Sequence, residues 1–272
     1  MSDIYLIDLF CGCGGFSQGA VQAGCKPVLA IDSWKEALDV HETNHPNCVH
    51  WHHTLGGDVE EFVCSIQTFI DLNLPENCHL HIHASPPCQT LSLANKKRND
   101  SGVSMIDWTL EVIHLLSPTS WSLENVVHPK VIQQYENCNI FRMWNYGVPQ
   151  KRKRMIMTNV DTSTMRTDEG GNVLDIVTRF RPEIDWGNCE MTPSGGPWRN
   201  CQSMNNPSYT ILARPPMVRH KVSQKTFRMS VKETAAIQTF PESYTFPNTT
   251  FSYSVIGNAV PPQFAQRFME CI

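Results

Sequence analysis

No stretch of this 272-residue sequence comes near the ~18 consecutive apolar residues that a membrane span needs. Its first residues, Met1-Ser2-Asp3-Ile4-Tyr5, show neither a basic run nor a small-residue cleavage site. The expectation is a soluble, intracellular protein, working in the cytoplasm or nucleoid of a prokaryote, in a virus-infected cell, or in a eukaryotic nucleus. Internal repeats and low-complexity tracts are absent, which excludes solenoids and disordered linkers. Positive charge is scarce over residues 1–80, where Lys26 and Lys35 face eleven Asp and Glu, and the net charge of −4 excludes a uniformly basic nucleic-acid binder. Cysteine is not scarce. Without a secretory leader the eleven cysteines are expected to stay thiols, which leaves room for a catalytic thiolate.

What is present is a chain of 41% hydrophobic residues, enough for one good core and a small second lobe. Residues 5–10 read as a buried strand, and Cys11-Gly12-Cys13-Gly14-Gly15 as a turn that only small residues allow. A helix follows from about Phe16. Residues 27–31 form a second strand that ends in Asp32, ahead of a helix over residues 34–43. Further strands are expected at 49–51, 80–84, 120–123 and 155–157. The alternation with helices predicts a mostly parallel α/β sheet with its ligands at the carboxyl ends of the strands. Beyond Thr158 the sequence turns polar and rich in Gly, Pro, Asn and Thr, as an inserted lobe would be. The expected division is 1–157 for cofactor and chemistry, 158–241 for the lobe and its support, and 242–272 for a segment returning to the first domain.

The glycine turn alone is weak, because such loops also cradle dinucleotides and phosphates. Asp32 strengthens it, since a carboxylate there can accept both hydroxyls of a ribose. Ser85-Pro86-Pro87-Cys88-Gln89 directly follows the strand ending at Ala84, and its prolines stiffen the loop that presents the thiol. Glu124-Asn125-Val126 follows the strand over 120–123 and brings a carboxyl to the same edge. In Gln150-Lys151-Arg152-Lys153-Arg154, two guanidiniums stand two residues apart, so an extended backbone points both to one side. A thiol, a carboxyl and paired guanidiniums at one sheet edge make a reaction site.

These segments, in this order, resemble the cytosine-C5 DNA methyltransferase family through nearly the whole chain. Residues 8–16 resemble its first cofactor motif, Asp32 its ribose-binding acid, and Gly57-Asp58-Val59 the motif whose Asp meets the adenine. Pro86-Pro87-Cys88-Gln89 resembles the nucleophile motif, Glu124-Asn125-Val126 the base-binding motif, and residues 145–154 the motif with the active-site arginines. Residues 228–241 are similar to the segment supporting the recognition lobe, and Gly257-Asn258-Ala259-Val260-Pro261-Pro262 to the closing motif.

The resemblance implies a Rossmann-like class I methyltransferase fold with a small inserted target-recognition lobe. It implies S-adenosylmethionine as cofactor, leaving as S-adenosylhomocysteine, with no metal. Phe10, Gly12, Gly14, Gly15, Asp32, Trp34, Asp58 and Asn258 are its expected binding residues. Cys88 adds to C6 of a flipped cytosine, a protonated Glu124 steadies N3, and Arg154, with Arg152, binds O2. Double-stranded DNA is the expected partner of a monomer, and no membrane is involved. Pro87, Gln89, Asn125 and a mobile loop with Lys96, Lys97 and Arg98 are expected at the DNA. So are Arg214, Lys221 and Lys225, which with Arg219, Arg228 and Lys232 make residues 201–232 free of acids.

Two alternatives use the same residues. The Ser85-Pro86-Pro87 variant is familiar from a tRNA-methylating branch of the family, though that branch's Cys-Phe-Thr segment is absent, so RNA is the alternative substrate. A non-catalytic S-adenosylmethionine-binding partner is the other. A nicotinamide dehydrogenase accounts for the glycines and Asp32 but for none of the later motifs. His79, His81 and His83, alternating along one strand, are read as hydrogen-bonded core groups rather than zinc ligands. Trp34, Trp51, Trp108, Trp121 and Trp144 are read as core or pocket walls.

Overall fold

Ile4–Leu9 forms strand β1, and Leu6, Ile7 and Leu9 in it are fully buried, so both of its faces are covered. A strand that is apolar on both faces belongs in a parallel sheet between helical layers. The computed structural model describes residues 3–87, 101–135, 138–192 and 198–272. After β1 come α1 (Gly15–Gln22), β2 (Lys26–Asp32), α2 (Lys35–Asn44), β3 (Val49–His52), α3 (Val59–Asn73) and β4 (His79–Ala84). Then follow α4 (Ser101–Leu116), β5 (Ser120–Val126), α5 (Pro129–Gln134), β6 (Asn139–Arg142) and β7 (Lys153–Thr158). The described strands make a seven-stranded sheet in the order β3-β2-β1-β4-β5-β7-β6. From β3 to β5 every pairing is parallel, and β7 and β6 run antiparallel to their neighbours.

The chain leaves β1 toward β2 on one side, and β4 arrives on the other. That reversal opens a crevice at the carboxyl ends of β1 and β4. Two bonds fix its walls: the amide of Cys11 donates to the Ile31 carbonyl at 3.1 Å and that of Ser85 to the Leu9 carbonyl at 3.1 Å. The glycine turn and the start of the Pro-Pro-Cys loop therefore share one edge.

The C-terminal part is α6 (Val173–Val177), β8 (Cys189–Met191), β9 (Gln202–Ser203), β10 (Met217–His220), β11 (Thr226–Arg228), α7 (Val231–Ile237), α8 (Thr250–Asn258) and α9 (Pro262–Met269). Strands β11-β10-β8-β9 form a small antiparallel sheet in that order. Its buried Met191 and Val218 join Trp186 and Met229 in a core shared with Ala37 and Val40 of α2 and Val255 and Ile256 of α8. Helix α9 packs on α1, burying Phe264 and Phe268 completely, worth about 1.5–3 kcal/mol each. Gly15 and Gly19 permit the approach: a Cβ on either would overlap the backbone of Val260 or Pro262. Among the described residues no helix is long and apolar enough to cross a membrane, and the ten described cysteines are free thiols.

Three elements differ from the sequence reading. Strand β6 was not expected, because its half-exposed Ile140 and flanking Asn139 and Arg142 show no apolar run. Glu124 and Asn125 lie inside β5 rather than after it. The polar insertion carries a sheet of its own, built from strands of two to four residues.

Candidate active site at the carboxyl edge of the sheet

The glycine turn closes because its backbone adopts left-handed conformations, φ 57° at Phe10, 53° at Gly12 and 84° at Gly14. Gly14 lies under the Tyr244 hydroxyl and the His41 ring, and a Cβ there would strike both. At Gly12 a Cβ would meet nothing, so the turn faces open space. Asp32, at the end of β2, takes the Gly12 amide on Oδ2 at 2.8 Å and the Trp34 amide on Oδ1 at 2.7 Å. Burial raises its pKa above the usual carboxylate value, while those amides pull it back.

Asp58 caps α3, accepting the Glu61 amide at 2.9 Å on Oδ1. Beside it, the Trp108 indole donates to the Gly57 carbonyl at 3.0 Å and meets the Phe10 ring edge-on at 6.4 Å. Trp34 stands at the start of α2 with its ring edge-on to Phe251 at 5.2 Å. Asn258 ends α8 and is exposed.

The antiparallel pairing of β5 with β7 sets the second half of the site. Glu124 faces Ile156 and Arg154 faces Val126, so the two charged residues are diagonal neighbours on one face. Arg154 Nε lies 2.7 Å from Glu124 Oε1, and both side chains are nearly buried. A carboxyl and a guanidinium so held can grip a flat, polar heterocycle. Pro86 is buried and Pro87 exposed, which puts the described end of the Pro-Pro-Cys loop at the rim. Cys88, Gln89, Lys96, Lys97 and Arg98 lie outside the described residues.

Two expected site residues do other work. Arg152 does not join Arg154 at Glu124, because it precedes β7 and turns inward. It is 2% exposed and donates from Nη1 to the Gly257 carbonyl at 3.0 Å and from Nη2 to the Ala259 carbonyl at 3.1 Å. Gln150 and Gln238 complete that knot: Gln150 Oε1 accepts the Ile211 amide at 3.0 Å, and Gln238 Nε2 donates to Ala259 O at 2.7 Å. Asn125, expected at the DNA, is fully buried and donates to the Pro86 carbonyl at 3.2 Å. It anchors the loop from beneath.

In the small sheet, Lys221 and Lys225 are exposed in the turn between β10 and β11, beside a 79% exposed Val222. Arg214 is exposed too. Arg219, though, pairs with Glu190 and lies 4.7 Å over the Trp198 ring. The acid that neutralises it comes from β8, upstream of the acid-free run.

Two hydrogen-bonded chains run through the core beside the site: one was not expected, and the other takes in His79, His81 and His83, read from the sequence as hydrogen-bonded core groups. Asp8, 1% exposed, accepts from the Ser17 hydroxyl at 2.6 Å; Ser17 meets His41 Nε2 at 3.0 Å, and His41 Nδ1 meets His50 Nε2 at 2.8 Å. Burial raises the Asp8 pKa to about 7. The second chain joins the histidines of β4 to the serines of β5. Its only sequence signal is the matched alternation of His-x-His-x-His with Ser-x-Ser. Among the described residues no three His, Cys, Asp or Glu gather to hold a metal ion.

Comparison with known proteins places this geometry. A family model described as C-5 cytosine-specific DNA methylase matches residues 4–184 and 190–272. The chain is 27% identical to the type II methyltransferase M.HgiDI of Herpetosiphon aurantiacus, covering 95% of this chain and 91% of that one. It is 22% identical to M1.HphI of Haemophilus parahaemolyticus, covering 98% and 86%. Among solved structures, a prophage-encoded E. coli protein described as a DNA modification methyltransferase superposes with TM-score 0.70 at 20% identity over 98% of both chains. S. pombe Dnmt2 gives 0.62 at 15% identity over 97% and 96%. These likenesses give the fold, a class I methyltransferase fold with a mostly parallel sheet.

Proposed function

Because the chain belongs to the C-5 cytosine-specific DNA methylase family, we propose that it methylates C5 of a cytosine flipped out of double-stranded DNA, with S-adenosylmethionine as donor. The observation that carries this reading is the Glu124–Arg154 pair, held by strand register at the edge where the Pro-Pro-Cys loop begins. The cofactor crevice supports it: the glycine turn faces open space at Gly12, Asp32 is held at its back, and Phe10 and Trp108 supply apolar wall beside Asp58. When bound, S-adenosylmethionine supplies a methyl group on a sulfonium. Asp32 would take the ribose hydroxyls, Asp58 the adenine amine, and Phe10 and Trp34 the adenine faces. Gly14, Gly15 and Asn258 would line the rest of the crevice.

The chain's own residues would do the following. The Cys88 thiolate adds to C6, forming the S–C6 bond and placing the C5=C6 electron pair on C5 for the methyl group. Glu124 gives a proton to N3 as the ring accepts charge, and Arg154 holds O2. The C5 proton then leaves, its electrons restore C5=C6 as the thiolate is expelled, and N3 returns its proton to Glu124. Arg152 and Asn125 act through position, the first by fixing the 257–259 segment and the second by holding Pro86. The lobe over about residues 158–226 reads the target with few elements, so the target is short, roughly two to four base pairs at about 1–3 kcal/mol for each bidentate base contact. Lys221, Lys225 and Arg214 hold phosphate.

Incubation with methyl-labelled S-adenosylmethionine and separate DNA and tRNA pools, followed by nucleoside analysis, tests the reading. Label on 5-methyldeoxycytidine supports it. Label confined to tRNA overturns the DNA assignment, and label at any position other than C5 overturns the chemistry.

A further inference from the structure

Arg219 sits on the strand that leads to Lys221 and Lys225, yet it is held in another way. Antiparallel register sets it opposite Glu190 of β8 on one side and Thr226 of β11 on the other, with Ser203 of β9 beyond Glu190. Residues opposite one another share a face of the sheet. The other face holds the buried Val218, Met191 and Cys189, so the face of Arg219 is the one left to solvent. Arg219 Nε donates to Glu190 Oε1 at 2.8 Å, and Nη2 donates to the same oxygen. Glu190 is steadied in turn by the Cys201 thiol, which donates to Oε2 at 2.8 Å. The Trp198 ring covers one flat side of the guanidinium, 4.7 Å from its central carbon. The arginine side chain is nevertheless 25% exposed. Glu190 takes the Nε/Nη2 edge of the fork, which leaves the Nη1/Nη2 edge without a partner among the described residues.

An exposed ion pair contributes about 0–1 kcal/mol to a fold. Stability therefore gives little reason to fix one half-open cation with a carboxylate, a thiol and an indole. The bracing also decides which ligand the guanidinium suits. A phosphate is charged and would meet the Glu190 carboxylate as a like charge. The O6 and N7 acceptors of guanine carry no net charge, and two parallel N–H groups match them. Position agrees with this choice. Gln202 of β9, the edge strand of the small sheet, accepts the Lys151 ammonium at 3.0 Å, and Lys151 shortly precedes Arg154 of the reaction site. Arg219 thus lies on a sheet that adjoins the reaction edge through β9 and ends in the lysine turn between β10 and β11.

We propose that Arg219 is a specificity-determining residue that reads one guanine of the target in the major groove, its Nη1/Nη2 edge donating to O6 and N7. The proposal rests on the DNA methyltransferase reading above and names the contact through which the lobe recognises its site. Glu190 and Trp198 are positioning residues: the first sets the rotation of the fork, and the second keeps it from folding back onto the sheet. Fixing the fork in advance removes the cost of ordering a long side chain when DNA arrives. Lys221 and Lys225, which have no such brace, hold phosphate beside it.

The test uses the full chain and short duplexes carrying its methylated site, in which 7-deazaguanine, with C–H in place of N7, replaces each guanine in turn. At one position the wild type should lose about fivefold or more in kcat/KM, the lower end of what a bidentate base contact is worth. Arg219→Ala should methylate the plain and the substituted duplex equally well at that position. Its log-log salt slope for DNA binding should stay at the wild-type value, because no phosphate contact is lost. An Arg219→Ala protein that keeps the discrimination overturns the proposal. So does one whose slope falls by about 0.9, which would make Arg219 a phosphate contact. If that variant does not fold, the wild-type scan decides: sensitivity confined to one guanine supports the proposal, and indifference at every guanine overturns it. Each of these results leaves the methyltransferase reading intact, whereas a wild type that methylates no DNA overturns that reading itself.

Discussion

The carboxyl edge of the large sheet and the outer turn of the small one both carry cations, held in opposite ways. At the large sheet, Arg154 is set against Glu124 by strand register, and Arg152 is locked onto the carbonyls of Gly257 and Ala259. At the small sheet, Lys221 and Lys225 stand exposed in a turn. Groups that act on developing charge are worth most when fixed in advance and shielded from water. Groups that meet a phosphate backbone need reach and replaceable counterions. Under the proposed function, the difference gives chemistry to one edge and address to the other, and substitutions on the two sides should fail differently.

The largest effect is expected at Glu124. Glu124→Gln keeps the shape of the side chain but cannot donate a carboxyl proton, so turnover should fall by roughly 10²–10⁴ with DNA affinity little changed. Equal turnover would move the carboxyl from chemistry to structure. The two arginines sharpen the contrast within the same edge. Arg154→Ala should lose activity while melting near the wild-type temperature. Arg152→Met should lose about 3 kcal/mol of stability, since it removes the guanidinium donor of the Gly257 carbonyl and leaves Ala259 O with Gln238 alone. Thermal melts and single-turnover rates on the two proteins should therefore move in opposite proportions, and parallel losses would erase the distinction.

A smaller effect belongs to pH. Burial raises the Asp8 pKa from 3.8 to about 7, so the folded state binds its proton more tightly than the unfolded chain does. Asp8 then contributes stability that is complete below pH 3.8 and lost as pH rises through about 7. Denaturant titrations between pH 4 and 8 should show this decline in wild type and a flatter line in Asp8→Asn. Identical slopes would mean that Asp8 is ionised in the fold. The mildest change is expected at the outer turn: Lys221→Gln or Lys225→Gln should weaken binding to all sequences alike and reduce the log-log salt slope by about 0.9. A Lys221 variant that shifts the methylated sequence at unchanged slope would make this turn a base reader.

Much of the catalytic half is legible in the sequence, because parallel strands buried on both faces write continuous apolar runs, as in residues 4–9 and 26–32. The Gly12–Asp32 contact follows from the same logic. The reading faltered where side chains serve the backbone. Alternation places Arg152 and Arg154 on one side only if the strand includes both, and β7 begins at Lys153. Asn125 was expected at the DNA from its place in the base-binding motif, yet its amide is spent on Pro86. The small sheet escaped notice because its short strands take their burial from α2 and α8, far away in sequence. The histidine–serine ladder needs the register between β4 and β5, which no single strand carries.

The central claim is covalent catalysis by Cys88, and it is tested most directly with duplex DNA bearing 5-fluorocytosine at the methylated position. The fluorine cannot leave as a proton, so the enzyme should stay joined to the DNA through denaturation once the methyl group has moved. Peptide mapping should place the bond on Cys88, and Cys88→Ala should form none while still binding S-adenosylmethionine. An enzyme that methylates ordinary DNA at C5 but leaves no adduct on the fluorinated duplex, or an adduct mapped to any other residue, would contradict the account.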